Sequence, residues 1–487
     1  MFIENKSRQI ALIISASIAG FMSLLDGNIV NISLPYIASY FQAGTSSVVQ
    51  VILVYMVVMA GTMIMFGKLA DQFGVKKVFI TGFIVFTISS LLCGFAQSLL
   101  FLILVRALQA TGASMLYATG ISLISEFIPP NRRGWAFGIF SPLVSLGMLV
   151  GNPLGGLITG LLDWHWIFLI NVPVGVFAVA LAWKVIPGRP KPREKVKTGP
   201  FDFPGSLLSF IGLALLVFCL NQAKKLGWAS PVILLGLPLS ILLLTLFFLW
   251  EKRAANPLLD LAILRQRNFS VGLVVSMAGF GLMAGSGVLM PFMLAGLLHI
   301  DIEHSGFILM TFPVLFSIMG PVAGNLSDHI SKTKLMAYGM MISLLTTVVF
   351  IFFMGQVHLW MIFVFLVFQG ISYAFFITPN NNYIMSVATP GKHSICSGVF
   401  KLSTNLGQMS GILLMEILFA FSMPAGFTPN APHSLPLSAE MVTKGFQWAY
   451  AGGAAMCLIA LVLVLTLKDS KIGEPIGEES HTSPTSW

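Results

Sequence analysis

The strongest constraint on the fold of this sequence is a succession of fourteen apolar runs, each long enough to cross a lipid bilayer. A transmembrane helix needs about 20 mostly apolar residues, because the hydrocarbon core is about 30 Å thick and each helical residue advances about 1.5 Å. The chain is therefore predicted to be an all-α polytopic membrane protein. The predicted spans are 9–39, 46–67, 77–97, 99–124, 134–161, 165–186, 204–222, 230–250, 268–298, 304–325, 335–355, 358–385, 393–420 and 445–467.

The scarcity of charged residues agrees with a single membrane domain. Only 9% of the 487 residues are charged, against about 25% in soluble domains. The formal net charge of +9 would suggest a nucleic-acid partner in a soluble protein. In a membrane protein this excess is better explained by a basic cytoplasmic face, because lysine and arginine in the loops set the topology. Nucleic acid is therefore not expected as a partner.

The distribution of basic residues supports the count of fourteen spans. If the N-terminus is cytoplasmic, 22 of the 27 lysines and arginines fall on the cytoplasmic side. Arg106 and Lys401 lie within helices, and Lys224, Lys225 and Lys444 fall outside. Adding or removing one span before the middle of the chain would invert everything downstream and destroy this bias. Both termini are therefore predicted to be cytoplasmic.

An internal repeat divides the chain. Gly67–Gly74 follows the second span and Gly324–Ser331 follows the tenth, and both read Gly-x-Leu-small-Asp. Both segments are predicted to be short cytoplasmic loops, separated by eight spans rather than six. The simplest arrangement is two six-helix halves with two inserted helices, and with the substrate site between the halves. The predicted divisions are 1–190 for the N-terminal half, 191–265 for a basic loop and the two-helix insertion, 266–467 for the C-terminal half and 468–487 for a disordered cytoplasmic tail.

Five segments resemble motifs of one transporter family. Gly67–Lys77 resembles the signature loop of the major facilitator superfamily, Arg106–Gly112 its Arg-x-x-Gln-Gly-x-Gly pattern, and Gly147–Gly156 its antiporter motif. Leu25–Pro35 and Asp163–Gly175 are similar to the first and sixth helices of fourteen-helix drug:proton antiporters. Over its whole length the chain resembles the EmrB/QacA-like group of these antiporters.

The sequence departs from the family patterns in its fifth and thirteenth spans. Asn152 stands where the antiporter motif has proline, and Pro153 follows it. Thr404 stands where the family often has arginine, and Lys401 lies one turn earlier. Details of the coupling are therefore expected to differ from the family norm.

A proton-coupling role is predicted for Asp26, Arg106 and Glu416, and for Asp26 it rests largely on the resemblance. An ionised aspartate at the membrane centre costs about 2.5–3.5 kcal/mol on insertion scales, so Asp26 is expected to face a cavity or a partner. If its surroundings alternate between wet and dry, its carboxylate can load and release a proton. The alternative is a structural Asp26 that is hydrogen-bonded to Asn28 and Asn31.

Arg106 and Glu416 each have two interpretations as well. Arg106 cannot deprotonate, and it either pairs with Asp26 in one state and releases it in another, or holds helix ends through carbonyl contacts. Glu416 is expected towards the outer end of the thirteenth span. There it either binds a cationic substrate or a proton, or is a solvated residue at the end of the helix.

The resemblance also implies a conformational-switch loop and a packing motif. Glycines in the loop permit tight turns, and a purely topogenic role for its lysines is the alternative. Glycines spaced four apart in the fifth span share one face and allow close helix approach, which packing alone would explain. These residues are Gly67, Asp71, Gly74, Lys76 and Lys77 in the loop, and Gly147, Gly151, Pro153, Gly155 and Gly156 in the antiporter motif.

The predicted function is proton-coupled export of small amphipathic or cationic drug-like compounds by alternating access, as in multidrug efflux and antibiotic resistance. One alternative is an exporter of one dedicated substrate, such as a lipid, metabolite or siderophore. Another is a membrane receptor or scaffold that does not transport. No enzyme motif is found, and neither a metal nor a cofactor is expected, with the proton as the coupling ion. A monomer in the bacterial cytoplasmic membrane is expected.

Overall fold

The computed structural model describes Ile3 and residues 5–129, 132–187, 202–254, 263–387, 393–422 and 439–467. Within these residues it contains sixteen α-helices and no β-strand. The helices are α1 (Lys6–Tyr40), α2 (Thr45–Phe73), α3 (Val75–Cys93), α4 (Leu99–Phe127), α5 (Arg133–Leu161), α6 (Trp166–Leu169), α7 (Asn171–Val185), α8 (Phe203–Leu226), α9 (Pro231–Glu251), α10 (Arg267–Gly296), α11 (Ile302–Leu309), α12 (Thr311–His329), α13 (Lys332–Phe353), α14 (Leu359–Ser386), α15 (His393–Phe421) and α16 (Ala439–Leu465).

Fourteen membrane spans are found among the described residues by helix length and apolar composition, which confirms the predicted count. Two spans are broken helices, since α6 with α7 and α11 with α12 each form one crossing. Pro173 and Pro313 are the third residues of α7 and α12. Proline has no N–H group, so neither residue can bond to the carbonyl four residues earlier. The break before each proline follows from that missing hydrogen bond.

The prediction that the two repeat segments are loops was wrong. Residues 67–73 form the last turns of α2, and residues 324–329 form the last turns of α12. Lysine, leucine and alanine favour helix, and nothing in the first segment interrupts it before Gly74. Gly74 has a φ of 101°, a conformation that glycine adopts without steric cost, and it alone separates α2 from α3.

Several predictions concern residues that the structure does not describe. They are the basic segment before the insertion and the tail. Residues 188–201, 255–262, 423–438 and 468–487 lie outside the described part of the chain. The proposed divisions of the chain therefore remain predictions.

The helices form two six-span halves with the same internal packing. Helix α1 packs on α5 as α10 packs on α15, and α3 packs on α4 as α13 packs on α14. Helices α8 and α9 form a hairpin between the halves, and α8 contacts both α2 and α15. The side chain of Gln50 on α2 donates a 3.0 Å hydrogen bond to Asn221 on α8. The two inserted helices are thereby joined to the N-terminal half.

Glycines allow the closest of these helix contacts. Side chains added at Gly147, Gly151 and Gly155 on α5 would collide with Phe21, Asn28 and Ile32 on α1, respectively. The expected single glycine face is confirmed, because all three positions face the same helix. In the C-terminal half, Gly407 and Gly411 of α15 lie against the backbone of α10 in the same way. Small residues are the usual means of close helix approach in a membrane.

The two halves share an apolar core at only one end of the bundle. We call the end at which α1 begins the lower end and the opposite end the upper end. One buried cluster combines upper residues of the N-terminal half, such as Ile37 and Val48, with residues of the C-terminal half such as Val288 and Leu294. The lower part of the N-terminal half has its own cluster, whose buried residues all lie between Ile3 and Ile186. The two halves therefore share a core at the upper end, and the N-terminal half has a core of its own at the lower end.

Replacement of Gly147 by alanine is expected to lower the unfolding temperature of the purified protein. The added methyl group would meet the backbone carbonyl of Phe21, which cannot move without shifting α1. Overpacking of this kind costs about 1–3 kcal/mol. The matched control is Gly138→Ala on the same helix, where the added group meets open space. Equal changes in the unfolding temperatures of the two variants would contradict the packing of α5 on α1.

Candidate functional site

A buried ion pair joins the first and fourth spans. Arg106 Nη1 on α4 lies 2.6 Å from Asp26 Oδ2 on α1, and the two side chains are 1% and 0% exposed. Gln109, one turn after Arg106, accepts a 2.7 Å hydrogen bond from Arg106 Nη1 and donates a 3.1 Å bond to Asp26 Oδ1. Gln109 also donates to Ser90 on α3 at 2.8 Å. Three helices therefore meet in one polar network, which we call the Asp26 network.

A fourth helix covers the guanidinium of Arg106. The ring of Tyr55 on α2 lies with its centre 4.2 Å from Arg106 Cζ, and Arg106 Nε approaches the carbonyl of Val51 at 3.4 Å. Stacking of arginine on an aromatic ring is a stabilising contact. The hydroxyl of Tyr55 is buried and has no hydrogen-bond partner within the described part of the chain.

The structure distinguishes between the alternatives for Asp26 and Arg106. Asn28 donates to the carbonyl of Leu24 and not to Asp26, and the Oδ1 of Asn31 has no hydrogen-bond partner. The two asparagines therefore do not hold Asp26 here. Pairing of Asp26 with Arg106 agrees with the first interpretation. The long contact of Arg106 is with the carbonyl of Val51, which lies within α2 and not at a helix end, so the second interpretation stays a prediction.

The sequence interpretation did not include Gln109 among the site residues. The sequence signal that could have identified Gln109 is the Arg-x-x-Gln pattern, which places Arg106 and Gln109 on neighbouring turns of one helix face. The C-terminal half has a glutamine at the corresponding position but no arginine before it. Gln369 on α14 donates to Thr347 on α13 at 2.9 Å, and Leu366 occupies the position three residues before it. The ion pair therefore belongs to one half of the repeat.

A central cavity of about 270 Å³ lies between the halves, and Arg106 and Tyr55 line it. Lys401 and Asn405 on α15 line the opposite wall. Much of the remaining surface is apolar and pliable, since methionine fits ligands of different shape. The methionines are Met56, Met59, Met148, Met283 and Met290. Asp26 itself is absent from the cavity lining and lies behind Arg106.

Lys401 and Asn405 were not predicted as site residues. They belong to a stripe on α15 in which Lys401, Asn405, Gln408 and Ile412 all face the cavity. The spacing of three to four residues is the available sequence signal, because it repeats polar side chains on one face of an apolar helix. The sequence alone does not show that this face meets a cavity rather than another helix.

Glu416 lies at the upper end of the boundary between the halves and not in the cavity lining. It is 1% exposed and accepts a hydrogen bond from Ser46 on α2. Glu416 is therefore not a solvated residue at the helix end, which was the alternative interpretation. Glu416 connects α15 of one half with α2 of the other.

The residues of the predicted switch loop are at the lower end. Gly67 and the backbone of Asp71 are within α2, Gly74 forms the turn, and the side chain of Asp71 lies outside the described part. Lys76 donates to the carbonyls of Trp183 and Ile186 at 3.0 and 2.5 Å. The ammonium of Lys76, which belongs to α3, thereby satisfies carbonyls at the end of α7 that have no partner within that helix. Lys77 points to the exterior.

The antiporter motif closes the boundary between the halves on the flank opposite the hairpin of α8 and α9. Gly156 on α5 lies against the carbonyl of Ile302 on α11, and Gly306 lies against the carbonyl of Asn152 and against Pro153. Pro153 is buried within α5. The motif therefore packs α5 on α1 through one face and on α11 through another.

Substitutions in the Asp26 network are expected to show strong coupling in stability. Removing one partner of a buried ion pair costs about 3–5 kcal/mol, because an uncompensated charge remains. We therefore expect Asp26→Asn and Arg106→Gln each to lower the unfolding temperature of the purified protein. Asp26→Asn is expected to lower the unfolding temperature more than Arg106→Gln does. It leaves Arg106, which cannot lose its charge, whereas Arg106→Gln leaves Asp26, which can take up a proton.

The double variant Asp26→Asn/Arg106→Gln is the control for this interpretation. It leaves neutral groups in place of the ion pair, so its unfolding temperature should fall by less than the sum of the single effects. Additive effects would show that the two side chains do not depend on each other.

Comparison with protein families and known structures identifies the fold. Residues 16–283 and 269–487 match the model of the Major Facilitator Superfamily. The riboflavin transporter RibZ of Clostridioides difficile (strain 630) is 32% identical over 460 residues, which are 94% of this chain and 97% of that protein. The multidrug export protein EmrB of Haemophilus influenzae is 31% identical over 342 residues, which are 69% of this chain and 66% of that protein.

A solved structure shows the same fold. A bacterial homologue of the human lysosomal transporter Spinster, in an inward-facing and unoccupied conformation, has a TM-score of 0.66 and 13% identity, covering 94% of this chain and 97% of that one. The resemblance to EmrB-like transporters is confirmed by the sequence matches. The chain belongs to the Major Facilitator Superfamily and is a polytopic membrane transporter, not an enzyme.

Proposed function

We propose that this transporter couples the export of small amphipathic compounds to proton entry by alternating access. The observation that carries the proposal is the buried Asp26–Arg106 pair, whose arginine lines the central cavity. A carboxylate paired with a permanent cation stays ionised, and it gains a proton when it loses that partner or meets water. A group with these properties beside a transport cavity is suited to carry the coupling proton.

The proposed cycle uses the two arrangements of the halves. With the lower end open, Asp26 is ionised and paired with Arg106 while substrate enters the cavity from below. Rocking of the halves opens the upper end, where substrate leaves and a proton from the outside binds to the Asp26 carboxylate. Return to the first arrangement releases that proton below and restores the pair. Each arrangement is stabilised by its own contacts, and the ligands shift the equilibrium between them.

The direction of transport depends on which side the lower end faces. Lys6, Arg8, Lys77 and Arg132 lie at this end, and basic residues mark the cytoplasmic side. We therefore place both termini in the cytoplasm of a bacterial cell, with the chain in its cytoplasmic membrane. A monomer is sufficient for this mechanism, because the cavity is formed within one chain.

Three sequence predictions acquire specific roles in this proposal. Glu416 and Ser46 close the upper end, and protonation of Glu416 would weaken their contact and favour opening. The lower segments around Gly74 and Lys76 limit how far the halves separate below. The antiporter motif around Gly156 prevents leak while the upper end is closed. Multidrug efflux and antibiotic resistance would follow if the methionine-lined cavity accepts several compounds.

A second candidate is transport of one dedicated compound by the same machinery. The similarity to the riboflavin transporter RibZ covers nearly all of both chains. The cavity also contains amide groups, including Asn31 and Asn405, that could bind a polar ring system. Riboflavin is therefore the first dedicated substrate to test.

The proton-coupling role of Asp26 is tested in proteoliposomes that contain a pH-sensitive dye. We expect addition of a transported compound to drive proton movement with the wild-type protein and none with Asp26→Asn, which cannot carry the charge change. Substrate exchange without a pH gradient should persist in Asp26→Asn, because exchange needs no net proton transfer. Exchange also reports how much of the variant is folded.

The matched control is Asp163→Asn, which removes a partly exposed carboxylate paired with His165. It should retain proton movement. Proton movement that survives in Asp26→Asn would rule out Asp26 as the carrier of the coupling proton.

The second candidate is tested by counterflow of labelled riboflavin. Proteoliposomes preloaded with unlabelled riboflavin should accumulate the labelled compound transiently and saturably if riboflavin is a substrate. Arg106→Gln, which alters the cavity wall, should reduce that accumulation by about tenfold or more, since a lost hydrogen bond to a charged group is worth about 1.5–3 kcal/mol. Accumulation no greater than in protein-free liposomes would exclude riboflavin.

A further inference from the structure

The central cavity has an unbalanced charge. Its described lining includes two cations, Arg106 and Lys401, and no aspartate or glutamate. Arg106 is neutralised by Asp26 from behind the wall. Lys401 pairs with no carboxylate among the described residues. It hydrogen-bonds to the side chain of Tyr117, and its ammonium lies 4.8 Å from the centre of the Tyr117 ring. A charge within a membrane needs compensation, and a neutral phenol supplies only part of it.

A second donor stands beside Lys401 on the same helix face. Asn405 lies one turn further along α15 and also lines the cavity. It is 3% exposed, and its Nδ2 has no hydrogen-bond partner. Four helical residues advance about 6 Å, so the ammonium and the amide can approach a single acidic group together. A buried donor without an acceptor costs free energy that a suitable ligand would recover.

The facing wall offers groups for the rest of a ligand. Tyr55 and Asn31 line the cavity, and the buried Tyr55 hydroxyl and Asn31 Oδ1 have no hydrogen-bond partner among the described residues. The methionines of the same lining adapt to apolar rings. The wall therefore combines an acid-binding end with an apolar body.

We propose that the cavity binds amphipathic organic anions, with the acidic group held by Lys401 and Asn405 and an aromatic body among the methionines. A carboxylate, sulfonate or phosphate supplies a counter-charge for Lys401 and an acceptor for the Nδ2 of Asn405. This inference rests on the proposed function in taking the cavity as the transport site, and it narrows the substrate class. Anionic compounds thereby replace the cationic compounds that were predicted as substrates from the sequence.

Cations fit the same cavity poorly. A cationic substrate would add a positive charge to a wall that already has Lys401, with no described lining carboxylate to compensate. Like charges in a site of low dielectric repel more strongly than in water. Asp26 does not relieve this repulsion, because both of its oxygens are already bonded to Arg106 and Gln109.

The position of Lys401 gives the bound anion a mechanical role. Lys401 belongs to the C-terminal half and Tyr117 to the N-terminal half, and both line the cavity. An acidic group bound at Lys401 lies beside Tyr117 and contacts both halves. Binding then shifts the equilibrium towards the arrangement in which these two walls lie together, because the bound group adds contacts to both.

The experiment measures binding of two dyes that share the xanthene ring and differ in charge. The full chain in lipid nanodiscs is titrated with anionic fluorescein or cationic rhodamine 6G, and polarisation is compared with that of empty nanodiscs. We expect saturable binding of fluorescein and weaker or no binding of rhodamine 6G. Lys401→Gln should weaken fluorescein binding by about tenfold to a hundredfold, the effect of one charged hydrogen bond.

Charge variants separate recognition from folding. Lys401→Arg should bind fluorescein, and Lys401→Glu should prefer rhodamine 6G, which an unfolded protein would not do. The matched control Lys444→Gln removes an exposed lysine paired with Glu440 and should leave binding unchanged. Preference of the wild type for rhodamine 6G, binding of neither dye, or fluorescein affinity unchanged in Lys401→Gln would each overturn the assignment.

The failure of this inference is distinguishable from the failure of proton coupling. Gradient-driven transport of rhodamine 6G that requires Asp26 would retain the proposed function and reject the anion site. Fluorescein binding that requires Lys401, without any proton-coupled transport, would support the anion site and reject the proposed function.

Discussion

Arg106 cannot lose its charge within the membrane, and the arrangement of the N-terminal half follows from satisfying it. Its guanidinium contacts groups on α1, α2 and α4, and Gln109 extends the network to α3. Loss of a buried partner costs about 3–5 kcal/mol, whereas an ordinary hydrogen bond contributes about 1 kcal/mol. The Asp26 network therefore outweighs other single polar contacts in orienting these four helices around the cavity.

Much of the fold could be predicted from the sequence, because the bilayer allows few solutions. Long apolar runs must be helices, and their number agrees with the distribution of lysine and arginine. The broken spans were not predicted, because Pro173 and Pro313 each lie within an apolar run of ordinary length. The helical state of residues 67–73 was also missed, since charged residues near a span suggest a loop when only hydropathy is considered.

The site was only partly predictable. Asp26 and Arg106 were evident as the charges that cost most to bury, and their costs suggested that they pair. The contributions of Tyr55, Gln109 and Lys401 depend on how each helix is rotated about its axis. Helix α4 has apolar residues on all sides and therefore shows no amphipathic face from which its rotation could be read. Tertiary packing supplies that information.

The inserted hairpin makes the two flanks of the transporter unequal. Helix α8 lies across the seam between α2 and α15, and the hydrogen bond that its Asn221 accepts from Gln50 attaches it to α2. On the other flank, α5 and α11 contact each other directly. If the halves rock as proposed, the hairpin would travel with α2 while its surface slides along α15. The seam that it covers would then stay screened from lipid throughout the cycle, and a compound dissolved in the membrane would reach the cavity from the other flank only.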